Sequence, residues 1–324
     1  MDTEDLVNPD PPPLQGPALG QGLEPLIRSA CDDRLSPITW FRTDWQHGGA
    51  ATGRARLIDE TGEAHEVMIK IPVSPRELKW LRRLQGNPSV PVLHASGDVL
   101  GGYDLAWVII EWFPFGPLGK KWHCDHFARS CTSAAHFHAS AHEFPIDKPA
   151  PREDWETLIR RSRTAIQTQS ISNANEWKNA LKQLSRRLSH MIEFWRNRTP
   201  LEWIHGDLHL ANCMSRVSME EGPVSLIDLA EVRPGHWIED AIYLERIYWS
   251  RPSRLKDNSP VKHLARARKA LGLDVSEDHP RLADIRRALY AATCPAFLRT
   301  EGGAHLKASL VQLQASLGRI PLRG

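Results

Sequence analysis

The stretch Trp203–Asp228, WIHGDLHLANCMSRVSMEEGPVSLID, constrains this chain more than any other. Apolar Trp203 and Ile204 lead into His205-Gly206-Asp207, and Leu208 to Ala211 separate Asp207 from Asn212. A short run, Cys213–Val217, a turn at Glu220-Glu221-Gly222-Pro223 and a returning run, Val224–Ile227, predict a hairpin that ends on Asp228. Such a hairpin brings Asn212 and Asp228 to the same end of two paired strands and leaves Asp207 on the loop beside them.

Two oxygen-bearing side chains converging on one point suit a hard cation. Mg²⁺ takes oxygen ligands, usually one or two from protein and the rest from phosphates and water. A carboxylate nearby that is free of the metal can receive the proton of an attacking hydroxyl. Together these are the minimum equipment for phosphoryl transfer, where catalysis is mostly positioning and charge neutralisation. Singly, each residue reads equally as a turn former, since Asp and Asn are ordinary turn residues. The joint pattern carries the chemistry.

At these residues the sequence resembles the aminoglycoside phosphotransferase and choline kinase group, a branch of the protein-kinase-like fold. The resemblance rests on His205-Gly206-Asp207-Leu208-His209-x-x-Asn212, on Ile227-Asp228, and on Gly235 with Asp240-Ala241, twelve residues after Asp228. It implies that Asp207 is the catalytic base, that Asn212 and Asp228 hold Mg²⁺, and that Asp240 supports the loop from a helix start. His205 is expected to brace that loop. The implied fold class is α+β: a two-lobe protein-kinase-like fold with a small β-rich N-lobe and a larger, mainly helical C-lobe, binding ATP and Mg²⁺ between them.

Composition agrees with a soluble globular protein. The 324 residues are 41% apolar and 25% charged, and the net charge of +2 gives no argument for nucleic acid or a membrane surface as partner. Five scattered cysteines without a CxxC pair read as free thiols in a reducing compartment. The N-terminus carries Asp2, Glu4 and Asp5 and no apolar signal region, and no apolar run is long enough to span a bilayer. The expected location is the cytoplasm.

Residues 1–35, rich in Pro and Gly, read as a flexible leader with one short helical piece near Leu26–Cys31. Residues 36–113 read as the N-terminal nucleotide-binding lobe. Strands are expected over Ile38–Trp45, Arg54–Asp59 and His65–Ile71. The glycines between the first two, Gly48 and Gly49 with Gly53 beyond, serve either as a phosphate-covering loop or as a plain hairpin turn. Val67-Met68-Ile69-Lys70 ends an apolar strand on a lysine, where kinases place a cation against the α- and β-phosphates. Ser74-Pro75-Arg76-Glu77 then starts a helix, with Ser74 as N-cap; Glu77 fits either the capping box or an ion pair with Lys70. Two further strands, over Val90–Val99 and Leu105–Trp112, lead to Glu111-Trp112-Phe113-Pro114. This exit resembles the kinase hinge, at which Glu111 and Phe113 would offer main-chain groups to an adenine edge; a plain linker is the other reading.

Residues 114–324 read as the helical catalytic and substrate lobe, with helices over Cys124–His142, Trp155–Ile166, Trp177–Trp195 and Ile238–Trp249. Two or three more are expected towards the end. The histidines of the first helix have no acidic partner at zinc-site spacing, so solvated or core positions are expected. Residues 229–237 read as a loop. Asp240 either binds the catalytic loop or complements the helix dipole. The leading reading is an ATP- and Mg²⁺-dependent kinase acting on a hydroxyl of a small molecule. The alternatives are an antibiotic-modifying phosphotransferase and a catalytically silent nucleotide-binding regulatory module. From Arg251 onwards, 14 Lys/Arg stand against 6 Asp/Glu, which tilts against a polycationic substrate.

Overall fold

The computed structural model describes residues 16–41, 49–298 and 302–321. The chain forms two compact units, Met1–Arg82 with Val92–Trp112, and Arg83–Pro91 with Phe113–Gly324.

The first unit contains a helix, α1 (Gly16–Ala30), then strands β1 (Thr39–Phe41), β2 (Ala51–Ile58) and β3 (Ala64–Ile71). Helix α2 (Pro75–Arg83) follows, and then strands β4 (Leu93–Gly97) and β5 (Trp107–Glu111). The strands make one antiparallel sheet in the order β1-β2-β3-β5-β4. Side chains alternate across a strand, and β3 uses this directly. Val67, Ile69 and Ile71 enter a core with Ile27, Cys31, Leu57 and Ile109, while Lys70 takes the opposite face. The chain leaves this unit at Trp112, whose N–H bonds the Glu66 carbonyl at 3.0 Å.

Two expectations change here. Residues Gly16–Ala30 are a fifteen-residue helix packed against the sheet, with Ile27 fully buried, rather than part of a leader with one short helical piece near Leu26–Cys31. Glu24 fixes it by accepting the Ile38 N–H and the Trp40 indole N–H, both at 3.0 Å. Gly53 belongs to β2, paired with Trp40 and Ile69, and not to a loop. A Cβ there would lie 2.4 Å from Ile38 Cγ2, so the glycine serves close packing of β2 against the residues before and within β1.

The second unit contains α3 (His126–Ala141), α4 (Trp155–Thr168), α5 (Ala174–Ser185) and α6 (Leu188–Arg196). Strands β6 (Glu202–Ile204), β7 (Cys213–Ser215), β8 (Val224–Leu226) and β9 (Arg233–Gly235) come next, then α7 (Ile238–Arg246), α8 (Pro260–Ala270), α9 (His279–Phe297) and α10 (Gly303–Arg319). The single helix expected over Trp177–Trp195 is two, broken at Arg186–Arg187. The apolar stripe continues across the break, but Arg187 turns aside to donate to the Ile320 carbonyl at the end of α10 (3.0 Å). Within the expected loop 229–237, β9 pairs antiparallel with β6. Arg83–Pro91, read as N-lobe, packs with the second unit: the Ser89 carbonyl accepts the Leu226 N–H at 2.7 Å, and Asn87 donates to Ser140 at 2.9 Å.

Candidate active site

The stretch His205–Asp228 folds as its residues dictate. β7 and β8 pair antiparallel with Cys213 opposite Leu226 and Ser215 opposite Val224. The ladder extends one step beyond the strands, where the Ile227 N–H bonds the Asn212 carbonyl at 3.0 Å. Asp228 therefore stands one residue from Asn212's partner. Its backbone is left-handed, φ 63° and ψ 64°, a region that Asp and Asn enter more readily than other non-glycine residues.

Asn212 is the link to the loop. Its Nδ2 donates to Asp207 twice, to the carbonyl and to Oδ2, both at 3.0 Å. With the amide nitrogen committed, Oδ1 is the end of the side chain left to accept. Asp207 keeps 23% of its side chain exposed, enough for a reactant to reach it. His209 Nε2 stands 3.4 Å from Asp207 Oδ2, and its ring stacks on Tyr243 at 6.3 Å. Burial opposes ionisation of Asp207, but hydrogen bonding by His209 and Tyr243 outweighs it and holds the carboxyl below the usual range. Tyr243 responds in the opposite sense: burial, then its bond to Asp207, push the phenol up to about 12.

The loop is braced from beneath. Asp240 is fully buried; its Oδ2 accepts the His205 N–H at 2.9 Å and its Oδ1 the Gly206 N–H at 2.8 Å. His138 Nε2 donates to the same carboxylate at 3.0 Å. The tautomer follows from the other nitrogen, since Arg268 can only donate and lies 3.1 Å from His138 Nδ1. Arg268 also donates to Glu202 at 2.8 Å. The result is a buried chain, Glu202–Arg268–His138–Asp240, ending on the loop backbone. Burial works against ionisation of Asp240, and His138, His205 and the Gly206 amide more than offset it, so the carboxyl sits low. His205 spans the loop from within. Its Nδ1 accepts the Asp207 N–H at 3.3 Å and its Nε2–H donates to the Ile227 carbonyl at 3.1 Å. Burial holds this ring neutral, lowering its pKa. Gly206 has φ +82°, and a Cβ there would lie 2.3 Å from the Glu231 carbonyl oxygen, so no other residue fits.

In the first unit, Lys70 Nζ donates to both carboxylate oxygens of Glu77, at 2.8 and 2.9 Å. The Glu77 N–H meanwhile bonds Ser74 Oγ at 3.1 Å, so Ser74 caps the helix while the Glu77 side chain reaches the lysine. Glu111 ends β5; its N–H bonds the Val92 carbonyl at 3.0 Å and its carboxylate accepts the Val92 N–H at 2.9 Å. Phe113 belongs to the second unit, and its N–H has no hydrogen-bond partner among the described residues. Gly49 is exposed; Gly48 lies outside the described residues.

The structure thus groups Asp207, Asn212, His205 and Asp240, with Asp228 at the strand end beside them, and separately groups Lys70 with Glu77. Sequence reasoning missed Tyr243, His209 as a partner of Asp207, and the His138–Arg268 support. Tyr243 was findable: it lies three residues after Asp240, one turn along the same face of α7. The His138–Arg268 contact joins residues 130 apart in sequence and left no local signal.

Several solved structures share this architecture. An aminoglycoside phosphotransferase from Alicyclobacillus acidocaldarius is 16% identical, with 93% of this chain and 95% of that one covered and a TM-score of 0.60. The microcompartment-associated aminopropanol kinase is 18% identical, with 86% and 90% covered and a TM-score of 0.55. A choline/ethanolamine kinase family protein from Mesorhizobium loti is 12% identical, with 87% and 88% covered and a TM-score of 0.53. No curated protein matches by sequence. The fold class is therefore the α+β, protein-kinase-like one. The chain belongs to the phosphotransferase enzyme family, whose model matches residues 48–292. Its activity class is small-molecule phosphotransfer. Among the described residues no helix is long and apolar enough to cross a membrane.

Proposed function

We propose that this protein transfers the γ-phosphoryl group of ATP to a hydroxyl of a small metabolite, with Asp207 as general base. The observation that carries the reading is the double hydrogen bond from Asn212 Nδ2 to Asp207, which turns a carboxylate and an amide oxygen into one fixed group. The acceptor oxygen forms a bond to the γ-phosphorus while its proton passes to Asp207 Oδ1 or Oδ2. The bond from that phosphorus to the β,γ-bridging oxygen breaks, and its electron pair leaves with ADP. A base held below the ordinary carboxylate range is ionised at neutral pH and ready to orient the hydroxyl.

The donor set fits Mg²⁺. Asn212 Oδ1 and the Asp228 carboxylate are hard oxygen ligands on one hairpin, and two protein ligands are what this ion ordinarily takes alongside phosphates. When bound, the ion would neutralise phosphate charge. Lys70, aligned by Glu77, would steady the α- and β-phosphates. The Phe113 N–H, which has no hydrogen-bond partner among the described residues, would serve an adenine edge, whereas the Glu111 N–H is spent on Val92.

A thermal-shift titration with Mg-ATP, followed by ADP-release assays over a panel of hydroxyl compounds, tests the reading. Stabilisation by Mg-ATP and acceptor-dependent ADP release are expected. Absence of both would favour the silent regulatory module.

A further inference from the structure

Arg246, at the C-terminal end of α7, is unlike the arginines packed around it. Arg286 pairs with Glu153 at 2.6 Å and contacts Glu239 at 3.5 Å; Arg287 pairs with Glu245 at 2.6 Å and Asp284 at 3.0 Å. Arg246 pairs with no carboxylate among the described residues. Instead its guanidinium lies over two aromatic faces, Tyr243 at 4.3 Å and Tyr290 at 4.8 Å from the ring centroids.

That sandwich has two consequences. Contact with π faces stabilises the cation and fixes its plane, while one of its N–H groups bonds the Tyr243 hydroxyl. A guanidinium has five N–H donors, so others remain for the two-pronged bond it makes to a carboxylate or phosphate. The position is also telling, because Tyr243 stacks on His209, and His209 stands 3.4 Å from Asp207 Oδ2. Arg246 is therefore linked to the candidate base through Tyr243 and His209.

We infer that the acceptor alcohol carries an anionic group, a carboxylate or a phosphate ester, which seats on the N–H edge of Arg246 while its hydroxyl meets Asp207. This rests on the phosphotransferase reading above and names its substrate class. It runs against amino alcohols and polycationic antibiotics, which would bring a second positive charge to this guanidinium.

The test uses the full chain with Mg-ATP and acceptors in matched pairs that differ in the anionic group: glycerate and glycerol 3-phosphate against glycerol, gluconate and glucose 6-phosphate against glucose. Ethanolamine and kanamycin represent cationic acceptors. Preference for the anionic member of a pair is expected, with carboxylate or phosphate told apart by which member is used. Arg246→Gln should lower kcat/KM for that member about ten- to hundredfold, as expected for losing a charge-assisted hydrogen bond, and should shift the ratio to the neutral member by a similar factor. Arg246→Lys should recover part of the ratio. A general loss of packing would lower both members alike and leave the ratio fixed. Turnover of neutral or cationic acceptors with an unchanged ratio in Arg246→Gln overturns the inference and leaves the kinase reading standing. No Mg-ATP binding and no ADP release with any acceptor overturns both.

Discussion

Asp240 Oδ2 accepts the backbone N–H of His205 at 2.9 Å, so a helix-start carboxylate, fully buried, fixes the loop that presents Asp207. The neighbouring Gly206 N–H and His138 Nε2 also donate to that carboxylate, to Oδ1 and Oδ2 respectively. Asp240→Asn offers one acceptor oxygen and sets an NH₂ against donors. Each buried donor left unpaired costs about 1–3 kcal/mol. The expected outcome is a lower melting temperature together with a fall in kcat, read by calorimetry and ADP release. An unchanged kcat would mean that the loop holds its shape without this support.

Tyr243 gives the site a pH signature. The phenol, pushed up to about 12, stays protonated and lowers the pKa of Asp207 by hydrogen bonding. A base that works ionised and titrates below its ordinary 3.8 keeps its activity down to lower pH. Tyr243→Phe removes that hydrogen bond, raises the pKa and should move the acidic limb of the kcat/KM profile upward. A limb that stays in place or moves downward would contradict the assignment.

Glu239 ties α7 to its surroundings. It is 2% exposed and meets Arg198 at 2.9 Å, Arg233 at 2.9 Å and Arg286 at 3.5 Å. Burial opposes its charge, but Arg286, Arg233 and Arg198 outweigh burial and bring the pKa to about 2, from 4.5. A carboxylate depressed on folding contributes stability above its unfolded value, and that contribution is lost as pH falls from 4.5 towards 2. Glu239→Gln should cost about 3–5 kcal/mol at neutral pH, because it leaves buried guanidinium groups uncompensated. Melting curves of both proteins across pH 2–7 check this: the variant should lose less stability than the wild type on acidification. Parallel curves would mean that Glu239 does not carry the acid sensitivity.

What could be read in the sequence was local. The Cys213–Ser215 and Val224–Leu226 hairpin, the Ser74 cap and the helix that begins at Trp155 all declare themselves within a few residues. Helix α1 did not: its glycines and Pro17 suggested a leader, and only the sheet face that buries Ile27 makes it a stable element. The same holds for the break at Arg187, which depends on a carbonyl at Ile320. In the site, the acidic and amide positions were legible because their spacing is short. Tyr243 could have been found from its place one turn after Asp240, but Arg246 could not, since an arginine on an amphipathic helix looks like solvated face until the ring beneath it is seen.

The central claim is that Asp207 takes the acceptor's proton while Asp228 and Asn212 hold the nucleotide's metal. Isothermal titration of Mg-ATP into Asp207→Asn and Asp228→Ala, paired with turnover on the best acceptor, separates the two roles. The account expects Asp207→Asn to bind Mg-ATP like the wild type while turnover falls about 10²–10⁴-fold, and Asp228→Ala to lose Mg-ATP binding with its fold intact. Wild-type turnover in either variant would contradict it.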